Sequence, residues 1–325
     1  MIRMVWITML IAAAATGNIE PTRKKLEDIR LRDPYILPVS EDGKYYLYGT
    51  GWRLPDGPGF MVYWSRNLDV WEGPFAAFRR PEQFWSDRNY WAPEVHRYKG
   101  KYYMFASFKA QDICRGTQIL MSEKPSGPFG PITDGPVTPS NWECLDGTLY
   151  IDKAGRPWMV FCHEWVQVGD GEICVIALSE DLKKAVGEPV LLFRASESPW
   201  VVEFGKKPRG RVTDGPFLHE TSDGVLMMLW SSFGNGGYKL AVSRSESGEI
   251  TGPWKHEQKP IYENDGGHGM LFRTFERKLM LVLHQPNRSP NERPRLFTVV
   301  EKGDKLTISP YIMSRSNRGR AEGAP

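Results

Sequence analysis

Four carboxylates and one imidazole stand at comparable places along this chain. Asp33, Glu94, Asp146, Asp214 and His268 each sit at the head of a short strand-like run, with successive spacings of 61, 52, 68 and 54 residues. Brought together, these residue types would suit general acid–base hydrolysis. An ionised carboxylate takes a proton from water, while a second carboxyl, kept neutral by burial or a nearby negative charge, gives one to the departing oxygen. Asp and Glu beside Gly or Pro also serve as ordinary turn residues, and one or two of them would need no further explanation. Five at matching places imply a shared site, provided the fold carries five remote segments to one point.

The elements that could do so are strands. Helical periodicity is nearly absent, and short β-type runs recur instead: Tyr45–Tyr48, Tyr102–Phe105, Trp158–Phe161, Leu226–Leu229 and Leu279–Val282. Turn-like segments such as Glu41-Asp42-Gly43-Lys44 and Tyr98-Lys99-Gly100-Lys101 precede them. In the first four units a third strand carries a serine before a polar turn, at Ser65, Ser122, Ser179 and Ser243. Units of roughly 50–65 residues with three or four strands each predict an all-β, five-bladed β-propeller. It would run from about residue 30 to 312 as one domain without a linker. The innermost strand of each blade lines the central channel, so the five head residues would converge on the axis, in a cleft of convergent titratable groups.

The rest of the composition fits that architecture and narrows the partners. The 325 residues include 12 Trp, 13 Tyr and 15 Phe beside 32 Gly and 25 Pro, a balance that favours strands and turns and suits the stacking of sugar rings. A net charge of +3 without a dense Lys/Arg stripe argues against a nucleic-acid partner. No run of 18 apolar residues predicts a transmembrane helix. Residues 1–17 read as an export signal, with an apolar Met4–Ala15 stretch ending in Ala13-Ala14-Ala15, which would place the protein outside the cell or in a periplasm. The alternative is a buried first strand in a cytoplasmic protein. Cys114, Cys144, Cys162 and Cys174 lack C-x-x-C spacing, which argues against zinc and leaves disulfides or core thiols. The polar tail over 313–325 reads as frayed.

Five segments in order, one per blade, carry a family resemblance: Arg32-Asp33-Pro34-Tyr35-Ile36, Trp91-Ala92-Pro93-Glu94-Val95, Leu145-Asp146-Gly147-Thr148-Leu149, Asp214-Gly215-Pro216 and Gly267-His268-Gly269. Together they resemble glycoside hydrolase family 43, five-bladed propellers that cleave arabinosides, xylosides and some galactosides with inversion. The resemblance implies Asp33 as general base, Asp146 as the carboxylate that orients the acid and tunes its pKa, and Asp214 as general acid. It also implies that His268 helps hold a hydrated cation, often calcium, at the axis through water. One departure stands out, because the family's acid is the Glu of an E-G-P motif and this chain has Thr213-Asp214-Gly215-Pro216. An Asp carboxyl sits roughly 1.5 Å further back, a displacement that can cost about a hundredfold in rate. Glu164 is the first substitute as acid and Glu203 the second.

Glu72-Gly73-Pro74 spells the expected motif but follows the serine strand of blade one and belongs on the outer side; Asp134-Gly135-Pro136 falls in a connection. Arg32-Asp33-Pro34 and Trp142-Glu143-Cys144 also look like motifs of invertase-like retaining propellers, but no Asn-Asp-Pro-Asn-type nucleophile segment precedes Arg32. Trp52, Trp91, Trp165 and Trp230 are candidates for sugar stacking, Trp91 foremost, with Glu94 and Trp165 as further substrate-binding residues. The activity implied is that of an α-L-arabinofuranosidase or β-xylosidase. The alternatives are a galactan- or arabinan-cleaving enzyme and a carbohydrate-binding propeller that has lost catalysis.

Overall fold

The computed structural model of the chain describes residues 20–51, 54 and 57–311. The expected export segment (1–17), the tail over 313–325 and Trp52 lie outside those residues.

Five antiparallel sheets follow one another along the chain. Blade one comprises Arg32–Val39, Lys44–Thr50, Gly59–Ser65 and Val70–Arg79, and Thr22–Lys25 pairs with its outer edge. Blade two comprises Arg88–Tyr98, Lys101–Lys109, Gly116–Ser122 and Gly130–Pro131. Blade three is Cys144–Ile151, Pro157–His163, Glu172–Leu178 and Ala185–Arg194. Blade four is Asp214–Glu220, Leu226–Gly234, Gly237–Ser245 and Trp254–His256. Blade five is Gly267–Arg273, Leu279–Gln285, Arg293–Lys302 and Lys305–Pro310. The inner strands touch in chain order, and that of blade five touches that of blade one. This is the closed ring of a five-bladed propeller.

The apolar runs read from the sequence are the second strands. They are buried along nearly their whole length because neighbouring blades cover both faces, so they lose the alternation of a half-exposed strand. The outermost strand of blade five, Lys305–Pro310, is mostly exposed. Third-strand serines cap the turns that follow: Ser65 Oγ accepts from the Leu68 N–H at 3.0 Å, and Ser122 Oγ from the Lys124 N–H at 3.1 Å. In blade four that role belongs to Ser245, whose hydroxyl donates to the Glu249 carbonyl at 2.6 Å. Ser243, the serine expected there, lies in the core and accepts the Trp230 indole N–H at 2.8 Å.

Each inner strand begins with a bulge whose corner residue is left-handed: Asp33 (φ 51°), Ala92 (φ 43°), Asp146 (φ 55°), Gly215 (φ 49°) and His268 (φ 48°). Bulges of this kind turn a side chain out of the ladder, at a cost in backbone strain of order 1–3 kcal/mol for a non-glycine residue. The corners correct the expected alignment. Asp33, Asp146 and His268 are equivalent, whereas Glu94 lies two residues beyond its corner and Asp214 one residue before it. Among the described residues the ring closes without strand exchange. Leu31 N–H reaches the Glu292 carbonyl at 3.4 Å, Tyr45 stacks on Phe275 at 4.3 Å, and its hydroxyl accepts the Phe275 N–H at 3.0 Å.

Candidate active site

At one end of the axis the blades enclose a cleft of about 700 Å³ with lining residues from all five, among them Asp33, Trp91, Asp146, Asp214 and His268. A second cavity, of about 610 Å³, lies where Lys25–Glu27 meet blade five and holds Glu27 and Asp69 without the convergent acids of the axial cleft.

The Asp33 corner aims its carboxylate across the axis, with Oδ1 at 3.2 Å from His268 Nδ1, 3.4 Å from Arg32 Nε and 3.5 Å from His284 Nδ1. Burial opposes the charge on Asp33, but His268, Arg32 and the Thr50 hydroxyl outweigh it and hold its pKa below the ordinary value. The same corner fixes a tautomer. Asp33 N–H donates to His284 Nδ1 at 3.2 Å, so the ring proton sits on Nε2 and donates to Asn287 Oδ1 at 3.1 Å. Burial pushes the His284 pKa down to about 3, which keeps the ring neutral.

The opposite side of the cleft is built to retain a proton. Asp214 lies beside Asp146, and Tyr238 O–H donates to Asp214 Oδ2 at 2.6 Å. Asp146 Oδ2 accepts the Gly215 N–H at 3.0 Å and lies 3.7 Å from His268 Nδ1. Burial, then the Asp146 charge and the hydrogen bond between the two carboxyls, push the Asp214 pKa well above the carboxylate range. Burial also pushes Asp146 up to about 7. Two carboxyls this close share one proton, and the larger upward shift at Asp214 keeps it there.

Around this pair, Glu164 is ion-paired with Arg115, whose guanidinium also lies 4.5 Å from the centre of the Trp91 ring. Burial raises the Glu164 pKa. Trp165 and Phe204 form an aromatic wall, with Phe204 stacked on Phe233 at 3.6 Å and 41% exposed. A neutral acid facing an ionised carboxylate across a cleft walled by aromatic rings has the parts needed to hydrolyse a glycosidic bond.

The comparisons with known proteins agree. The family model described as glycosyl hydrolases family 43 matches residues 27–302. The crystal structure of endo-arabinase from Bacteroides thetaiotaomicron VPI-5482 is 41% identical, superposes with a TM-score of 0.81 and covers 86% of this chain and 98% of its own. An extracellular endo-α-(1→5)-L-arabinanase 1 of Bacillus subtilis (strain 168) is 26% identical over 73% of this chain and 71% of its own. An extracellular exo-α-(1→5)-L-arabinofuranosidase of Cellvibrio japonicus (strain Ueda107) is 23% identical over 89% and 86%. The chain belongs to glycosyl hydrolases family 43.

In this family-43 hydrolase the expected residues separate into those at the cleft and those elsewhere. Asp33, Trp91, Asp146, Glu164, Trp165, Asp214 and His268 line it. Glu94 is not among the lining residues; its carboxylate is buried against His96 Nε2 at 3.2 Å, as its offset from the corner dictates. Glu203 is exposed at the surface and pairs with Arg211 at 3.5 Å. Trp230 is fully buried between Phe193 and Trp200 and acts as wedge packing. Glu72 pairs with Arg23 on the outer edge of blade one. Glu143 is outside the lining too, holding Lys109 and the Arg115 N–H, while Trp142 stacks on His163 at 4.1 Å. All four cysteines are free thiols.

The sequence reading missed Arg32, Tyr238 and His284. Arg32 stands next to Asp33 and could have been marked for its charge. His284 interrupts an apolar run, which is a visible signal, but nothing near Tyr238 distinguishes it from the other tyrosines.

Ligand atoms of Asp146, Asp214 and His268 lie within 4.8 Å of one another. Calcium takes six to eight oxygens. Here the facing carboxylate oxygens already accept the Gly215 N–H and Tyr238 O–H, and His268 Nδ1 faces Asp33, so the set does not fit a directly bound calcium ion.

Proposed function

We propose that this hydrolase cleaves α-L-arabinofuranosyl bonds of arabinan with inversion. The observation that carries the reading is the contrast between two carboxyls on blades one and four, with Asp33 held ionised and Asp214 held protonated. Asp33 takes a proton from water as its oxygen attacks the anomeric carbon. Asp214 gives its proton to the departing oxygen, and the Asp146 charge keeps that proton in place until the bond breaks. Solvent restores both protonation states after the products leave. Trp91, Trp165 and Phe204 offer ring faces to the sugars.

The arabinan assignment is supported by the three relatives, named as two endo-acting arabinanases and one exo-acting arabinofuranosidase. It therefore favours the arabinan-cleaving alternative over a β-xylosidase. Linear arabinan, xylan, galactan and aryl arabinofuranosides and xylosides, with chromatography of the products, test it. Arabinose or short arabino-oligosaccharides are expected from arabinan, and turnover of xylan alone would reject it. Arabinan binding in a calorimeter without product would indicate a binding-only propeller. We propose export as well, on the Met4–Ala15 segment and on the extracellular relatives. A mature N-terminus near residue 17 would support it, and an intact Met1 in the host cytoplasm would reject it. A hydrated cation held through water at His268, which lines the cleft, is compatible with these residues, and chelation followed by calcium addition tests it. A loss of activity restored by calcium would put a water-held ion at His268.

A further inference from the structure

The five corners are equivalent, and so are the five residues paired with the position just before each corner: Thr50, Ser107, Cys162, Ser231 and His284. Four of these side chains do the same thing. Each accepts the corner N–H of the next blade around the ring: Thr50 Oγ1 from Ala92 at 2.6 Å, Ser107 Oγ from Asp146 at 2.9 Å, Ser231 Oγ from His268 at 2.8 Å and His284 Nδ1 from Asp33 at 3.2 Å. The fifth corner differs. The position that would serve Gly215 holds Cys162, and the Gly215 N–H goes instead to Asp146 Oδ2 at 3.0 Å.

A thiol sulfur is a weak acceptor, whereas a carboxylate makes hydrogen bonds roughly twice as strong as those between neutral groups. We infer that Cys162 is a positioning residue: by offering no oxygen at this corner, it leaves the Gly215 N–H to anchor the Asp146 carboxylate against Asp214. The inference rests on the reading that Asp146 and Asp214 share the reacting proton. Cys162 is fully buried. Burial, then the charges of Asp146 and Asp214, push its thiol pKa far up, so it stays neutral beside them. A serine at this position could reach the N–H, since Ser107 and Ser231 do so at the equivalent places.

The test compares Cys162→Ser with Cys162→Ala in the full chain. The charged and titratable groups that act on Asp146, namely Asp33, Glu94, Asp214 and His268, are the same in both variants. In Cys162→Ser the introduced hydroxyl takes the Gly215 N–H, and the shared proton is held more tightly. The alkaline limb of the kcat/KM profile then moves up by about one pH unit, with kcat reduced and KM little changed. In Cys162→Ala no acceptor is added, so the alkaline limb stays at the wild-type position whatever the absolute rate. Equal profiles in the two variants, both shifted or both unshifted, would overturn the inference.

Should Cys162→Ser fail to fold, the wild type supplies the reading. The Gly215 amide proton, followed by NMR in labelled protein, is expected to shift through the same pH range as the alkaline limb. An amide that does not titrate would contradict the inference. A separate result tests the underlying assignment, because wild-type rates in Asp146→Asn would reject the catalytic role of Asp146 without bearing on the Gly215 titration measured in the wild type.

Discussion

Asp33 and Asp214 are the same residue type with opposite electrostatic fates, and their surroundings explain why. Asp33 faces His268 and Arg32, and Asp214 faces another carboxylate. The proposed mechanism needs Asp33 ionised and the Asp146–Asp214 pair holding its proton. kcat/KM is therefore expected to fall only below the ordinary Asp value of about 3.9, because Asp33 is held ionised to lower pH, and again at alkaline pH, where the pair loses the proton held by Asp214. A profile still flat at pH 10 would show that no such proton takes part. A second expectation separates the two candidate acids. Asp214→Asn should lose about 10²–10⁴ of its rate on natural arabinosides and much less on activated aryl glycosides, whose leaving groups need little protonation. Glu164→Gln, whose native carboxylate is engaged by Arg115, should show no such selectivity. The reverse pattern would transfer the acid's role to Glu164. Asp33, Asp146 and Asp214 were legible in the sequence because each sits in a short motif. His284 and Tyr238 were not, because they reach Asp33 and Asp214 from other strands whose register no local pattern reports.

The bulge is the element that turns five strand heads into a site. Sequence spacing located all five heads but treated them as alike. Glu94 and Asp214 show the limit of that reading, since the corners in their blades are Ala92 and Gly215 and displace the acids by two residues and by one. A bulge depends on backbone angles and pairing with the next strand, so it leaves no mark in the spacing of polar residues. The Gly215 corner is also tight. A Cβ there would lie 2.7 Å from the His268 ring, at a φ of +49° that a side chain rarely adopts. Gly215→Ala is expected to push the ring away from Asp33 and Asp146, with a loss of about 1–3 kcal/mol in stability and a drop in kcat. Calorimetry and kinetics check this, and unchanged values in both would mean that the corner is more compliant than its contacts indicate.

The whole molecule was the most legible level, because the interleaving of buried second strands with polar turns repeats five times and each repeat must bury both faces against its neighbours. Closure was not legible, since it rests on blade-five side chains such as Phe272 and Met280 packing into the blade-one core, and no local pattern marks residues so far apart in the chain as partners. The buried acid pair also sets the pH dependence of stability. Asp214 has a folded pKa raised above its unfolded value, so the native state binds more protons than the unfolded one. The stability contributed is complete below about pH 3.9 and is lost as pH rises through the folded value. Asp214→Asn cannot ionise and should melt several degrees higher than wild type at pH 9, relative to their difference at pH 5; a constant difference would contradict the assignment. The central claim is that Asp33 activates water on one side of the bond while Asp214 protonates the other, and one measurement tests it most directly. Proton NMR during the first turnovers, before mutarotation, reports the anomer released from an α-L-arabinofuranoside. Water activated by Asp33 on one face of the sugar while Asp214 protonates the departing oxygen requires the β-anomer, whereas initial release of the α-anomer would mean that a carboxylate acts as nucleophile and would contradict the account.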